Sequence, residues 1–241
     1  MTLSFPIFSS ISESRGHHFY NKALGKGSVV LDLGSHLGEF STEISRRFEC
    51  RCYAVEALPD LFAKIGESQL VKKLNYAITD SERMVSFNIS DNPEGNHVAD
   101  TVGHEESDVL CQSVMVQGIS LSKLMEVEAI EEIDLLKVDI EGSEIPLFDS
   151  TSDETLRKIA QISIEFHDFI MDIGADVERV TKRLKSLGFI CVRYSFHTNG
   201  DVLFVNPKRL NISILERLYI SVFSRYLRGF YRVTKRYFLN S

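Results

Sequence analysis

Three segments carry the residue types that do chemistry. The first is Val29-Val-Leu-Asp-Leu-Gly-Ser-His-Leu-Gly-Glu-Phe-Ser41. It reads as a strand, a tight turn and the start of a helix, with Gly34 and Gly38 four apart. Glycine lets a backbone turn sharply and approach a ligand. The helix that follows offers free backbone N–H groups, which suit a carboxylate. Asp32, at the strand's end, takes a ligand's amino group or holds the loop. Ser35 and His36 belong to the same turn, His36 being the more loop-like. Glu56 ends the next strand, where an acid can accept both hydroxyls of a ribose. The pattern is Asp-x-Gly-x-x-x-Gly, not the crowded Gly-x-Gly-x-x-Gly that admits a pyrophosphate. It therefore suits an adenosine ligand that bears an amino-acid end and no phosphate.

The second segment is Leu135-Leu-Lys-Val-Asp-Ile-Glu-Gly-Ser-Glu-Ile-Pro146. Lys137, Asp139, Glu141 and Glu144 gather where a strand meets its helix, the edge at which open α/β sheets bind ligands. Glu141 and Glu144 also suit the positive end of a helix. The third segment is Ile162-Ser-Ile-Glu-Phe-His-Asp168. Glu165 and His167 are two apart, so they point the same way from a strand end. A neutral His167 can take a proton from an acceptor hydroxyl. Lys137, Asp139, Glu141 and His167 are the candidate catalytic residues, with Asp139 or His167 as the base. Glu144 and Glu165 are the candidate acceptor contacts. No metal-ligand spacing stands out, although the histidines and acids of residues 90–108 leave a metal open.

The elements that must position these groups alternate between short apolar runs and helical patterns, which argues for a parallel, doubly wound α/β sheet. Strands are expected at Val29–Leu33, Cys52–Val55, Leu74–Ile78, Leu135–Val138 and Ile162–Phe166. Helices are expected at about 38–48, 59–68, 121–127, 143–148 and 176–187. Phe189–Ser195 and Val202–Asn206 form a terminal antiparallel hairpin around Asn199-Gly200. Met84–Ile89 and Ser113–Gln117 read as two strands that can pair. The polar stretch Ser90–Asp108 between them reads as a flap near the site. Residues 1–27 read as a lead-in, 28–206 as the domain and 207–241 as a tail.

The chain has 241 residues, 44% hydrophobic and 25% charged, as expected of a globular domain with a core of its own. Cys50, Cys52, Cys111 and Cys191 match neither a zinc spacing nor a disulfide framework, so they read as reduced thiols in a cytoplasmic protein. The first sixteen residues lack the layout of a signal peptide. Residues 207–241 hold eight basic side chains against Glu216 alone, +7, which leaves −14 for the rest of a chain with net charge −7. From Ile212 to Phe230 the apolar and basic positions form separate stripes, the pattern of a basic amphipathic helix. Through residues 208–238 it can pack on the domain, join a second subunit in a homodimer, or lie on an anionic membrane. The acidic body argues against nucleic acid.

From about Ser28 to Val205 the chain resembles the FkbM family of S-adenosylmethionine-dependent methyltransferases. The likeness is carried by Leu31-Asp-Leu-Gly-Ser-His-Leu-Gly-Glu-Phe-Ser41, by Leu136-Lys-Val-Asp-Ile-Glu-Gly-Ser-Glu144, by Leu74-Asn-Tyr-Ala-Ile78 and by Ile164-Glu-Phe-His167. Ser35-His36 stands where that family often has alanine-asparagine. The resemblance implies a Rossmann-like, class I methyltransferase fold and O-methylation of a sugar, glycan or other small hydroxylated metabolite. It implies that Asp32, Gly34 and Glu56 hold S-adenosylmethionine, with neighbours Ser35, His36, Gly38 and Ala57, and with Asn75 or Ala77 near the adenine. It places Asp139, Glu141 and Glu144 around the reacting centre, Asp139 also touching the cofactor. A nucleotide-dependent oxidoreductase fits less well, because the third glycine is missing. A non-catalytic domain that binds membranes or partners fits less well, because glycines and acids stand at every expected strand end.

Overall fold

The computed structural model describes residues 10–89, 97–98, 112–167, 173–195 and 198–223. Near its start β1 (Ile11–Ser14) and β2 (His17–Tyr20) pair as an antiparallel hairpin across Arg15 and Gly16, both at positive φ. Next come β3 (Val29–Leu33), α1 (Glu39–Phe48), β4 (Arg51–Val55), α2 (Pro59–Phe62) and β5 (Val71–Leu74). A second group holds β6 (Ala77–Ile78), β7 (Met84–Ile89), β8 (His97–Val98) and β9 (Gln112–Ile119). It is followed by α3 (Leu121–Val127), β10 (Leu135–Val138), α4 (Glu144–Ser150), α5 (Asp153–Arg157), β11 (Gln161–Ile164) and α6 (Gly174–Ser186). The last elements are β12 (Ile190–Arg193), β13 (Val202–Val205) and α7 (Ile214–Leu218).

Seven strands form the main sheet in the order β12-β13-β11-β10-β3-β4-β5. β13 runs against both its neighbours, and the others run parallel. This is the doubly wound sheet with a terminal hairpin that the pattern implied. Both faces are covered, which explains the unbroken apolar runs. Successive residues of β3 show it: Val30 joins Phe40, Ile44 and Cys52 on one face, while Leu31 joins Leu136, Ile162 and Phe204 on the other. The chain leaves β3 toward β4 and later returns to β10 on the opposite side. The carboxyl ends of β3 and β10 therefore flank the topological switch point, where such sheets open a crevice.

Four strands, β6-β9-β7-β8, make a second sheet. β7 and β9 pair antiparallel, as expected of Met84–Ile89 and Ser113–Gln117. The inward side chains Ala77, Val85, Phe87 and Val116 pack with Leu58 beside the crevice.

Three boundaries differ from the sequence pattern. The expected strand Leu74–Ile78 is broken, its first residue ending β5 and Ala77–Ile78 forming β6. The Asn75 amide donates to the carbonyls of Glu56 and Ala57, both at 2.8 Å, and this draws the chain out of the main sheet. The helix expected over 59–68 stops at Phe62, because the next amides bond three residues back, Lys64 to Leu61 and Ile65 to Phe62. The fifth parallel strand ends at Ile164, and the Phe166 amide donates instead to the Asn199 carbonyl.

The lead-in is built into the molecule. The Tyr20 amide donates to Gln161 Oε1 at 2.7 Å, and Gln161 Nε2 donates back to the Tyr20 carbonyl at 3.1 Å. Phe19 is buried against Phe40 and Phe48. At the other end Tyr219 and Ile220 are buried against Ile11, Tyr20 and Tyr194, while Ile214, Leu215 and Leu218 are exposed. The rest of the tail, 224–241, and the flap expected over Ser90–Asp108, apart from β8, lie outside the described residues. Of the cysteines, Cys50 and Cys52 are buried and Cys191 is half-buried, all as free thiols. Among the described residues no helix is long and apolar enough to cross a membrane.

Candidate active site

The glycine turn follows β3. The amides of Gly34 and Ser35 both donate to the Val55 carbonyl at 3.0 Å. Gly34 has φ 74°, and a Cβ there would fall 1.7 Å from the Asp139 carbonyl oxygen. No other residue fits, so β3 and β10 come together through a glycine. Gly38, at φ 72°, caps α1 in the left-handed conformation. Exposed His36 is also left-handed, and its amide donates to Glu56 Oε2 at 2.8 Å. The Leu58 amide donates to Glu56 Oε1 at 2.9 Å. Each carboxylate oxygen of Glu56 thus holds a loop and keeps a lone pair for a hydroxyl. Burial raises the proton affinity of Glu56, while Lys137 and the two amides oppose it.

These residues line a cavity of about 350 Å³, within the ~300–1,000 Å³ usual for small ligands. One end is polar, with Gly34, His36 and Glu56. The wall is apolar, with Leu58, Leu61, Tyr76, Ala77, Ile78 and Phe87. Asp139, Glu141 and Ser143 complete the lining, Asp139 next to Gly34. A smaller cleft, lined by Arg15, His17, Ser35 and Lys137, shares Gly34, His36 and Asp139 with the cavity. Asp139 therefore stands where the two meet.

Beneath the turn lies a buried ion network. Lys137 Nζ donates to the Gly34 carbonyl at 2.7 Å and lies 3.2 Å from Asp32 and 3.3 Å from Asp139. Ser41 Oγ donates to the other oxygen of Asp32 at 2.8 Å. Burial alone would lower the proton affinity of Lys137. The two carboxylates outweigh it, and the ammonium form is favoured. Asp32 is fully buried, so of its two roles the geometry supports holding the loop. Lys137, expected to be catalytic, is buried as well and holds the turn through Gly34.

At the ends of β10 and β11 four carboxylates meet two histidines. Glu144, expected as an acceptor contact, is fully buried. Its Oε1 accepts from His167 Nδ1 at 2.8 Å and from the amides of Gly142 and Ile140. His167 Nε2 lies 3.2 Å from Glu141 and 3.8 Å from Asp139. Burial opposes a charge on His167, but Glu144, Glu141 and Asp139 push its pKa up to about 9. The charged form of His167 is therefore favoured over the neutral one expected from the sequence. Glu141 is half-buried at φ 49° on the cavity wall. Burial pushes its pKa up to about 7, with Asp139, Glu144 and Glu165 adding and His167 opposing. Burial would raise Asp139 too, but Lys137, His17 and His167 hold its carboxyl well below the usual range. Burial also raises Glu165.

The structure brings together Gly34, Ser35, His36, Glu56, Ala57, Ala77, Asp139 and Glu141 around the cavities. It puts Asp32, Asn75 and Glu144 behind them as supports, and Lys137 on the wall of the smaller cleft. Sequence reasoning missed His17, Leu58, Leu61, Tyr76 and Phe87. Tyr76 lies inside a quoted motif. Phe87 and His17 come from distant segments, and only the weak Arg15-Gly16 turn signal hinted at the hairpin that carries His17.

A family model described as the methyltransferase FkbM domain matches residues 32–191. The hexuronic acid methyltransferase AglP of Haloferax volcanii is 26% identical over 162 residues, which cover 65% of this chain and 61% of that protein. The chain thus spans about six tenths of that relative's length. A solved methyltransferase FkbM from Methylobacillus flagellatus KT has a TM-score of 0.52 at 11% identity, covering 78% of this chain and 46% of that one. That likeness bears on the fold.

Proposed function

The chain belongs to the FkbM methyltransferase family, and on that footing we propose that it is an O-methyltransferase that uses S-adenosylmethionine to methylate a hydroxyl of a sugar or related small molecule. The observation that carries this is the cavity at the switch point, which meets a second cleft at Asp139. The residues fit the donor. Glu56 keeps free lone pairs, Leu58, Tyr76 and Phe87 make an apolar slot for an adenine, and in the adjoining cleft Ser35 Oγ is buried without a hydrogen-bond partner. S-Adenosylmethionine, when bound, supplies a methyl group already activated on a sulfonium.

The protein's own work is then alignment and removal of a proton. The Gly34 and Gly38 turn and Glu56 orient the donor. The cleft of His17, Arg15 and His36 receives the acceptor. Near-attack alignment of this kind supplies much of the rate in a displacement that needs little other help. Glu141, on the cavity wall beside Asp139, receives the hydroxyl proton. His167 and Lys137 keep the surrounding carboxylates ionised and in place. The acceptor class is supported by the sugar acid named for the relative.

Calorimetric titration with S-adenosylmethionine and with NAD tests this. Micromolar binding of the first, lost in Glu56→Ala, is the expected result. Binding of NAD alone would replace the proposal with an oxidoreductase.

A further inference from the structure

We propose that His17, Asp139 and Glu165 form a divalent-cation site at the mouth of the acceptor cleft. They come from β2 and from the carboxyl ends of the adjacent strands β10 and β11. One ligand atom from each lies within 4.8 Å of the others, so that side-chain shifts of about 1 Å would let them share one ion with bonds of about 2.1 Å. Imidazole with two carboxylates and open positions suits Mn²⁺, Fe²⁺ or Zn²⁺.

Three observations support this set. First, His17 is 3% exposed, and its Nε2 faces Asp139 Oδ2 at 3.6 Å. That is too long for a hydrogen bond, so the two atoms face one another without joining. Its Nδ1 lies 3.4 Å from Ser163 Oγ, an outer contact of the kind that orients a metal-binding imidazole. Second, the Glu165 backbone is held by its amide on the Val138 carbonyl, while its half-buried carboxylate has no hydrogen bond or ion pair among the described residues. Third, negative charge is in excess here. Asp32, Asp139, Glu141, Glu144 and Glu165 surround Lys137 and His167, and Lys137 is shared between Asp32 and Asp139. A second set, Asp139, Glu141 and His167, is also compact. His167, however, already contacts Glu144 at 2.8 Å and Glu141 at 3.2 Å.

A cation here would take the acceptor oxygen as a further ligand and make its proton easier to remove. That role rests on the methyltransferase chemistry proposed above, whereas the site itself does not.

The test uses the full-length, chelator-treated protein titrated with Mn²⁺, the free ion being followed by electron paramagnetic resonance. S-Adenosylmethionine affinity and thermal unfolding are measured on the same samples. One equivalent of Mn²⁺ should bind, at least tenfold more weakly in Glu165→Gln and in His17→Gln, and unchanged in the surface variant Glu154→Gln. Pulsed resonance should detect one imidazole nitrogen on the ion, absent in His17→Gln and kept in His167→Gln. No binding up to millimolar Mn²⁺ by folded protein, or the nitrogen lost in His167→Gln instead, would overturn the site. Mn²⁺ binding without S-adenosylmethionine binding would leave the site standing and remove its proposed role. The reverse pattern would do the opposite.

Discussion

Lys137 and Asp32 are register partners on adjacent parallel strands, and the lysine Nζ lies 3.2 Å from the aspartate with both side chains buried. Because the pair sits one step before the ends of β3 and β10, it fixes the height of the turn above it. Lys137 also grips the Gly34 carbonyl. Removing one partner of such a pair leaves a buried charge alone, at a cost of about 3–5 kcal/mol. Lys137→Met should lose that much stability in denaturant unfolding. The double variant Lys137→Met/Asp32→Asn should regain part of it. Equal losses in the single and double variants would mean that the pair does not act as a unit.

Gly34 and Gly38 are both left-handed, yet they should differ sharply on substitution. A Cβ at Gly34 meets the backbone oxygen of Asp139 at 1.7 Å, and neither strand can give way cheaply. At Gly38 it meets the Cγ2 methyl of buried Ile65 at 2.7 Å, a side-chain rather than a backbone atom, which can shift at lower cost. Gly34→Ala should abolish S-adenosylmethionine binding and lower the melting temperature by far more than Gly38→Ala. The latter should carry chiefly the left-handed penalty, about 1–2 kcal/mol. Calorimetry and thermal unfolding of both variants decide it.

Phe87 reaches the cavity from β7 in the second sheet and is 8% exposed. If it forms one face of the adenine slot, Phe87→Leu should weaken donor binding about tenfold, or ~1.4 kcal/mol, while turnover at saturating donor stays near wild type. A lower kcat with unchanged donor affinity would place Phe87 elsewhere in the reaction.

Much of this was legible in the residues because local rules governed it. β3, β10 and α3 fall where their apolar runs and periods put them, and the Asp32–Gly38 turn announced the crevice. What was not legible depended on contacts between distant segments. Asn75 breaks a strand because two carbonyls of another loop lie within its reach. His17 enters the cleft because a hairpin folds back onto β11 and β13. The same holds for charge. His167 looks like a base in sequence, and only the three carboxylates packed around it favour its charged form, while Glu141 and Asp139 face the cavity.

The two ends of the described chain are joined at Glu216, and that junction makes stability depend on pH. Lys22 Nζ lies 2.7 Å from Glu216 and Tyr20 Oη donates to it at 3.1 Å, while Ser213 completes a capping box on α7. Lys22 foremost, then Ser213 and Tyr20, hold the carboxyl at about 2, below its ordinary 4.5, against the small opposing effect of burial. A carboxyl lowered in the folded state stabilises it fully above about 4.5, and the contribution fades as pH falls toward 2. Lys22 is largely exposed, so solvent screening reduces the contribution to about 1 kcal/mol. Glu216→Gln keeps a residue that can serve the capping box and removes only the charge. Its melting temperature should be about 2–4 °C below wild type at pH 7, and the gap should shrink to less than half of that by pH 3. A gap that stays constant over that range would mean that hydrogen bonding, not charge, ties α7 to the hairpin.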